Sequence, residues 1–241
     1  MKYFSDSVIN PYIRRAGYRR LCEVGASFGE HTARLLEVDG VSLVVVDPCI
    51  DLDLTRLNGD RVSVRRGLSL EVLPTLGERF DCILVDGDHN WYTVYHELKA
   101  IDESDLLRPG GTIFLHDVGW PYGRRDMYYQ PETVPAPFVQ PHAMKGMVPG
   151  RSELVESGGS NAGLYNAVHE GGPRNGVLTA VEDFVRERPG KYRLLVLTDQ
   201  HGLGILQRRG GVGDALPWLR VWAAQAANRW GGRVRRVLGR S

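Results

Sequence analysis

Acidic and histidine side chains follow two apolar segments that read as neighbouring buried strands. Asp86 comes directly after the run Cys82–Val85, and His116 and Asp117 follow the run Thr112–Leu115. Because adjacent parallel strands lie about 5 Å apart, carboxylates that leave the ends of two such strands can share one cation. Carboxylate oxygens suit Mg²⁺ or Mn²⁺, and a histidine nitrogen favours Mn²⁺ or a heavier metal. We therefore predict a divalent metal site formed by Asp86, His116 and Asp117.

The geometry of a strand restricts this prediction at His116 and Asp117. Consecutive residues of a strand point to opposite faces of the sheet, so both side chains can bind one ion only if the strand has already ended. Two other interpretations stay open: His116 can be a strand-end histidine with a partner inside the protein, and Asp86 can serve a cofactor alone.

A glycine-containing turn follows the first apolar segment and indicates a site for a nucleoside. Gly25 and Gly29 allow the backbone to turn sharply and to approach a ligand closely. The dinucleotide pattern GxGxxG is absent because Ser27 occupies the place of its second glycine, which disfavours a pyrophosphate. Asp47 ends the next apolar run, about 20 residues later, where a carboxylate can accept hydrogen bonds from ribose hydroxyls. The segment Gly67–Ser69 is placed to border an adenine ring.

The elements that must position these residues alternate between apolar runs and amphipathic patterns. Short apolar runs separated by helices indicate a parallel sheet that is covered on both faces. In the helical segment that begins at Trp91, the apolar stripe is expected to face this sheet. Two late runs, 192–200 and 203–209, are joined by a glycine-containing turn that is typical of a hairpin. We predict an α/β fold with a doubly wound, seven-stranded, mostly parallel sheet and a C-terminal antiparallel hairpin.

The segment 118–176 is rich in Gly, Pro, Tyr and His and shows little periodicity, which predicts a lid insertion that shapes a substrate pocket. Its glycines at 171, 172 and 176 are candidate hinges. Aromatic rings can stack on a substrate ring, and arginines can bind a carboxylate or phosphate. Ordinary loop packing is the alternative for each residue. The predicted substrate-binding residues are Trp120, Tyr122, Arg124, Arg125, Tyr128 and His142, with Tyr129 beside them.

Length and charge restrict the function classes. The chain has 241 residues, and this length predicts a single domain over 1–241. Its net charge of +1 disfavours nucleic-acid binding. The sequence shows neither a signal peptide nor a span of about 18 apolar residues, so we expect a cytoplasmic protein without stable membrane insertion. The tail 213–241 combines tryptophans with arginines. It is interpreted as a basic amphipathic segment that packs on the domain or on a dimer mate, or as a membrane or partner surface.

The motifs together resemble those of class I S-adenosylmethionine-dependent methyltransferases. The segments Glu23–Thr32, Asp47, Val85–Gly87 and Leu107–Gly111 occur in the order and spacing of that family, and the likeness extends over about residues 21–207. The resemblance implies a Rossmann-like fold and S-adenosylmethionine as cofactor. The residues that it implies at the cofactor are Glu23, Gly25, Ala26, Ser27, Gly29, Thr32, Asp47, Gly67, Ser69 and Asp86.

Within that family, the Asp-x-x-His spacing of Asp86 and His89 resembles the metal-dependent O-methyltransferases of natural-product pathways, especially those that act on macrolide sugars. The resemblance implies that Asp86 is a metal ligand and that His89 is the general base. Where the family has an acidic pair after the fifth strand, this sequence has His116 and Asp117, which favours Asp117 as the ligand. A capping or packing role is the alternative for His89.

The sequence thus predicts metal-assisted O-methylation of a hydroxyl on a small natural-product or sugar-like metabolite, by a protein that forms a homodimer. Metal-independent N- or O-methylation of a small molecule is one alternative. A catalytically inactive module that binds S-adenosylmethionine is a second alternative, which the Asp-x-x-His pattern disfavours. An RNA methyltransferase is a third, which the near-neutral charge disfavours.

Overall fold

The computed structural model describes residues 1–50 and 59–210, together with the backbone of residues 234–235. Its central sheet has eight strands in the order β3-β2-β1-β4-β5-β10-β9-β11, and a second, antiparallel sheet has three strands in the order β6-β8-β7. In chain order the strands are β1 (Arg20–Val24), β2 (Ser42–Val46), β3 (Val62–Arg65), β4 (Phe80–Val85), β5 (Leu107–His116), β6 (Met127–Tyr128), β7 (His142–Met144), β8 (Tyr165–Ala167), β9 (Tyr192–Leu197), β10 (Leu203–Arg208) and β11 (Val234–Arg235).

The first five strands are parallel, and their residues form the centre of the core. Strands β1, β2 and β4 are almost wholly buried because the sheet is covered on both faces, as their unbroken apolar sequences predict. Strand β10 pairs antiparallel with both β5 and β9, which confirms the predicted hairpin. The seven predicted strands are all present. The two-residue β11 adds an eighth at the edge of β9, and so short a strand leaves no periodicity to detect.

Within the described residues, the α-helices are α1 (Asn10–Ala16), α2 (Glu30–Leu36), α3 (Ser69–Val72), α4 (Trp91–Glu103) and α5 (Val177–Arg186). A π-helix at Ser5–Ile9 precedes α1, and short 3₁₀ turns lie at Lys2–Phe4, Gly59–Arg61, Leu73–Thr75, Pro131–Thr133 and Ala136–Phe138. Helices α4 and α5 pack on one face of the sheet, and α1 and α2 pack on the other. None of the helices in the described part of the chain is long and apolar enough to cross a membrane.

Helix α4 begins at Trp91 because the preceding Asn90 accepts a hydrogen bond from the Thr93 amide at 2.8 Å, which satisfies a free N–H of the first turn. The predicted stripe faces the sheet: Trp91, Val94 and Leu98 are buried. This cap fixes the end of the loop that leaves β4, and therefore the positions of the acidic side chains in that loop.

The segment 118–176 is more ordered than its sequence predicts, because strands β6, β7 and β8 form the small sheet within it. Asp126 is fully buried and joins this segment to the helices. Its carboxylate accepts hydrogen bonds from the Trp91 amide at 2.7 Å, the Gly176 amide at 2.6 Å and the Tyr128 hydroxyl at 2.8 Å. The predicted tail 213–241 lies outside the described residues apart from β11.

Candidate active site

Four titratable side chains converge at the carboxyl ends of β4 and β5. His116 Nδ1 lies 3.2 Å from Asp86 Oδ1 and 2.9 Å from Asp117 Oδ2. His89 Nε2 lies 2.7 Å from Asp117 Oδ2 and 3.8 Å from Asp86 Oδ1. One ligand atom from each of Asp86, His116 and Asp117 lies within 4.8 Å of the others, a spacing at which they could hold one metal ion. The structure therefore brings together all four residues that the sequence singled out.

The backbone at Asp117 resolves the problem of consecutive side chains on a strand. Strand β5 ends at His116, and Asp117 adopts the left-handed region with φ of +58°. An L-residue rarely takes this conformation, and in ordered structures it marks a turn or a functional constraint. The turn directs Asp117 and His116 toward the same point, whereas a continuing strand would direct them to opposite faces of the sheet.

Opposite charges dominate the cluster. Burial alone would raise the pKa of Asp86, but hydrogen bonds from His116 and His89 hold it well below its ordinary value. Burial likewise opposes protonation of the two histidines. The carboxylates outweigh it, so the pKa of His116 rises to about 9 and that of His89 rises well above its usual range. The Met1 ammonium adds a further cation 2.7 Å from Asp86 Oδ2. The two carboxylates are thus stabilised by positive charge, which a divalent cation can also supply.

The glycine turn after β1 is held against the end of β2. Asp47 accepts hydrogen bonds from the amides of Ala26 at 2.8 Å, Ser27 at 3.0 Å and Cys49 at 2.8 Å. A carboxylate has about four acceptor positions, so one remains for a ribose hydroxyl. Ser27 and Gly29 both have positive φ, at 50° and 73°, and this bends the turn into the start of α2.

Two of the predicted cofactor residues are bonded to the protein itself. Glu23 is buried and accepts hydrogen bonds from His31 Nδ1 at 2.7 Å and from the Thr32 hydroxyl at 2.6 Å. These bonds fix the first turn of α2 beneath the glycine turn. Contact of Glu23 or Thr32 with a cofactor stays a prediction.

Gly25 cannot be replaced without distortion, because the turns after β1 and β4 meet there. Its φ is +82°, and a Cβ would lie 2.4 Å from the Gly87 Cα. We expect Gly25→Ala to destabilise the protein by about 2–4 kcal/mol, from left-handed strain and the backbone clash together, as measured by urea unfolding. Gly17→Ala is the matched control, since Gly17 has φ of +69° but open space around it, so only the strain of about 1–2 kcal/mol applies. Equal losses in the two variants would contradict this account of Gly25.

The turn after β3 leads directly into α3, whose first residue is Ser69. Gly67 has φ of +149°, and a Cβ there would lie 2.8 Å from Val72 Cγ2. Beside this turn lies a residue that the sequence did not reveal. Glu97 of α4 is buried, neither of its carboxylate oxygens has a hydrogen-bond partner, and burial raises its pKa to about 8. A single glutamate in an amphipathic helix gives no signal of this kind.

The pKa of Glu97 predicts a pH-dependent stability. Its folded value of about 8 lies above the ordinary value of 4.5, so the folded chain holds this proton where the unfolded chain has lost it. The contribution of Glu97 to stability therefore falls as pH rises through this window, by about 4 kcal/mol between pH 5 and pH 9. Glu97→Gln is expected to remove that decline. The free energy of unfolding of the variant, relative to that of the parent, should therefore be higher at pH 9 than at pH 5. Denaturant unfolding of the ligand-free protein at both pH values measures this. If the difference in free energy of unfolding between variant and parent is the same at pH 5 and pH 9, this prediction is wrong.

The predicted substrate residues separate into two groups. The Tyr122 ring lies 5.5 Å from the His89 ring, and the Tyr129 ring lies 6.0 Å from it, with Tyr129 56% exposed. Trp120 is half-buried and packs against the core cluster that contains Tyr122. Tyr122 and Tyr129 therefore border the acidic cluster, and contact of these three residues with an acceptor stays a prediction.

The other four are bonded within the insertion or to α5. The Arg124 guanidinium pairs with both carboxylate oxygens of Glu182, at 2.5 and 2.8 Å, and that partner is too distant in sequence to be foreseen. The buried Arg125 donates to the carbonyl oxygens of Ala167 and Ser152. The Tyr128 hydroxyl donates to Asp126, and His142 contacts the Gln140 carbonyl oxygen through Nδ1 at 2.9 Å. The structure gives these residues internal roles, so acceptor binding by them stays a prediction without structural support.

The candidate hinge glycines also differ from expectation at one position. Gly171 and Gly172 have positive φ and open space around them. Gly176 instead marks a close approach, because a Cβ there would lie 2.4 Å from the Arg125 amide nitrogen. Gly176 therefore fixes the end of the insertion to its beginning.

The chain is similar to known methyltransferases in both sequence pattern and fold. Residues 22–118, which contain the end of β1, all of β2 to β5 and the acidic cluster, match the family model of a methyltransferase domain. No curated protein sequence matches the chain.

Three solved structures show the fold. An O-methyltransferase from Bacillus cereus, solved with SAH, is 17% identical, with 83% of this chain and 78% of that chain covered and a TM-score of 0.52. The Podospora anserina methyltransferase PaMTH1, also bound to SAH, is 16% identical, with coverages of 83% and 76% and a TM-score of 0.53. TomG from Streptomyces achromogenes, an O-methyltransferase involved in tomaymycin synthesis and solved with SAM, is 16% identical, with coverages of 83% and 78% and a TM-score of 0.51. The chain therefore shares the Rossmann-like fold of these methyltransferase structures, and its residues 22–118 are similar to a methyltransferase domain.

Proposed function

We propose that this chain transfers the methyl group of S-adenosylmethionine to a hydroxyl oxygen of a small metabolite, with the help of a divalent metal ion. One observation carries the proposal: Asp86, His89, His116 and Asp117 meet at the carboxyl edge of the sheet, where ligands of open α/β sheets gather. The turn that contains Gly25 lies against this cluster through Gly87. The fold that it shares with structures bound to SAH or SAM supports the choice of cofactor.

The residues present suit the cofactor. The free acceptor position of Asp47 can bind a ribose hydroxyl, and the turn 25–29 leaves backbone available to the methionine portion. The cofactor supplies an electrophilic methyl group on a sulfonium. In the transfer, the acceptor oxygen forms a bond to the methyl carbon, the bond from that carbon to sulfur breaks, and S-adenosylhomocysteine leaves.

The donor set also suits a divalent cation. Asp86 and Asp117 offer hard oxygens, and His116 offers Nδ1, a combination that fits Mn²⁺ or Mg²⁺. A cation held there would acidify a hydroxyl bound to it, as metal ions do for water. The charge of Asp117 raises the pKa of His89. If Asp117 also bound a cation, its charge would act less strongly on His89, and the pKa of His89 would fall back toward neutrality.

In the proposed reaction, His89 accepts the proton of the acceptor hydroxyl. Its Nε2 faces Asp117, and the rings of Tyr122 and Tyr129 flank it on the side of the insertion. Asp117 orients the imidazole, while the two tyrosines form walls that a sugar or phenolic ring can contact. These contacts support a small hydroxylated acceptor of the kind found in natural products.

The homodimer that the sequence analysis expects stays a prediction.

A specific observation favours a second candidate, metal-independent methylation of nitrogen or oxygen. His89 and His116 already pair with Asp117 and Asp86, so the cluster does not require a further cation to balance its charge. Mass spectrometry of reactions with S-adenosylmethionine and a panel of hydroxylated and amino metabolites distinguishes the candidates. We expect a mass gain of one methyl group that stops with EDTA and returns with Mn²⁺ or Mg²⁺. Turnover unchanged by EDTA would favour the metal-independent reaction, and tight cofactor binding without any product would favour an inactive module.

A further inference from the structure

The loop that carries His89 is bonded to the insertion 118–176 at two points of its backbone. The Met127 amide donates to the His89 carbonyl oxygen at 3.1 Å, an isolated antiparallel bridge that joins the loop to β6. The Trp91 amide, two residues further along, donates to Asp126 Oδ1 at 2.7 Å. Because Asp126 and Met127 are consecutive, one short segment of the insertion fixes the backbone from the His89 carbonyl group to the first turn of α4.

Further hydrogen bonds give this loop its internal shape. Asp88 accepts them from the His89 amide at 3.0 Å, from Asn90 Nδ2 at 2.8 Å and from the Thr93 hydroxyl at 2.9 Å. All these groups belong to the loop or to α4, so their bonds do not set the position of the loop relative to the insertion. That position depends on the bonds from the loop to Asp126 and Met127.

Asp126 is fully buried and joins three parts of the chain. Besides the Trp91 bond, its Oδ1 accepts from the Gly176 amide at 2.6 Å, and its Oδ2 accepts from the Tyr128 hydroxyl at 2.8 Å. A buried charge is costly unless it is hydrogen-bonded, and hydrogen bonds to a carboxylate are stronger than those between neutral groups. A carboxylate beside the free N–H groups of a helix start is also favourable. Asp126 therefore holds the loop, β6 and the end of the insertion in one arrangement.

The same insertion supplies the rings that flank His89. The centres of the Tyr122 and Tyr129 rings lie 5.5 and 6.0 Å from that of the His89 ring, and His89 Nε2 lies 2.7 Å from Asp117 Oδ2. A general base must come within about 2.6–3.2 Å of the group that gives up the proton. A shift of the loop against the insertion would therefore change the distance from His89 to an acceptor that contacts these tyrosines.

We propose that Asp126 is a positioning residue for His89: through the Trp91 amide, it holds the loop after β4 at the distance from the insertion that proton transfer requires. The inference rests on the proposed function, in which His89 is the base. Asp126 acts through the backbone of the loop and takes no proton itself. A displacement of about 1 Å at a reacting group can lower the rate by about 100-fold, so such a residue matters even at a distance from the chemistry.

Two substitutions of Asp126 test the proposal. Asp126→Ala removes all three hydrogen bonds and is expected to lower kcat by about 100-fold. Asp126→Asn should keep kcat close to the parental value, because its amide oxygen can accept from both backbone amides and its NH₂ group can donate to the Tyr128 hydroxyl. Initial rates come from the mass-spectrometric assay, and circular dichroism confirms folding. If Asp126→Ala does not fold, Asp126→Ser, with one oxygen in place of two, replaces it.

A double-mutant cycle shows whether the loss depends on His89. In the His89→Gln background, Asp126→Ala should cause little further loss of kcat, because the base is already absent. Gln140→Ala is the control within the insertion and should keep the parental kcat, since its side chain bonds to the Pro173 and Arg174 carbonyl oxygens, which lie outside the loop. Equal losses with and without His89 would overturn the proposal, and so would a loss in Asp126→Asn as large as that in Asp126→Ala.

Amide exchange followed by NMR tests the same inference without turnover. The Met127 amide is expected to exchange faster in Asp126→Ala than in the parent, because its bond to the His89 carbonyl oxygen loosens when the Trp91 bond is lost. Asp126→Asn and Gln140→Ala should keep the parental protection. Unchanged protection of Met127 in Asp126→Ala would overturn the proposal. Absence of methyl transfer by the parent protein would instead refute the proposed function, and the exchange rates would still show whether Asp126 fixes the loop.

Discussion

Replacing His89 with glutamine is expected to lower kcat by about 10²–10⁴-fold, the usual loss when a positioned general base is removed. Glutamine is similar in reach and can bond to Asp117, but it cannot accept a proton at neutral pH. The affinity for S-adenosylhomocysteine should stay within about twofold, because the cofactor is held by the glycine turn and Asp47. Initial rates from the mass-spectrometric assay, together with calorimetry of the product, give both quantities.

His96→Gln is the matched control for this experiment. His96 lies in α4, the helix that follows the loop of His89. Its ring packs against Tyr92 and Phe138, and its Nδ1 contacts the Tyr92 carbonyl oxygen at 2.7 Å. The His96→Gln variant should therefore retain the kcat of the parent protein. A His89→Gln variant with near-parental kcat would show that another group, or solvent, takes the proton.

Removal of the Asp117 carboxylate is expected to abolish metal-dependent turnover. Asp117→Asn keeps the shape of the side chain but deletes the charge that faces both His89 and His116. Replacing a residue that only supports a ligand typically costs 10–100-fold in metal affinity, so loss of a ligand is expected to cost at least about 100-fold. Titration of Mn²⁺ followed by electron paramagnetic resonance measures the free ion, and the activity assay follows the loss of turnover.

The control for Asp117 is the exposed Asp39, whose replacement by asparagine should leave metal affinity and rate unchanged. Circular dichroism confirms that both variants are folded. Parental Mn²⁺ affinity in Asp117→Asn would refute its role as a ligand. If the parent protein itself binds no Mn²⁺ yet turns over, the metal-independent reaction is the correct one.

The central fold was predictable because its signals are repeated. The buried strands β1, β2 and β4 have unbroken apolar sequences, and the hairpin β9–β10 has a glycine-containing turn. The small sheet in the insertion was not predicted, because strands of two or three residues have no measurable alternation. Its stability depends on long-range bonds to Asp126, which local sequence does not encode.

The acidic cluster was predictable from residue type and from the rule that parallel strands end at a common edge. The sequence left open whether His116 and Asp117 could both take part, because this depends on a left-handed turn at Asp117 and a non-glycine residue gives no sequence signal for such a turn. Arg124 and Arg125 show a different limit: arginines in an aromatic segment favour an anion site, but local sequence does not reveal that they also have protein partners. Glu97 escaped notice because only tertiary packing shows that a helical glutamate is buried without a partner.

The most direct test of the account is calorimetric titration of the parent protein with S-adenosylhomocysteine, alongside Asp47→Ala. We predict saturable binding of one ligand per chain in the parent, and an affinity at least about tenfold weaker in Asp47→Ala, where both the ribose acceptor and the anchor of the glycine turn are lost. Absence of binding to the correctly folded parent protein would contradict the account.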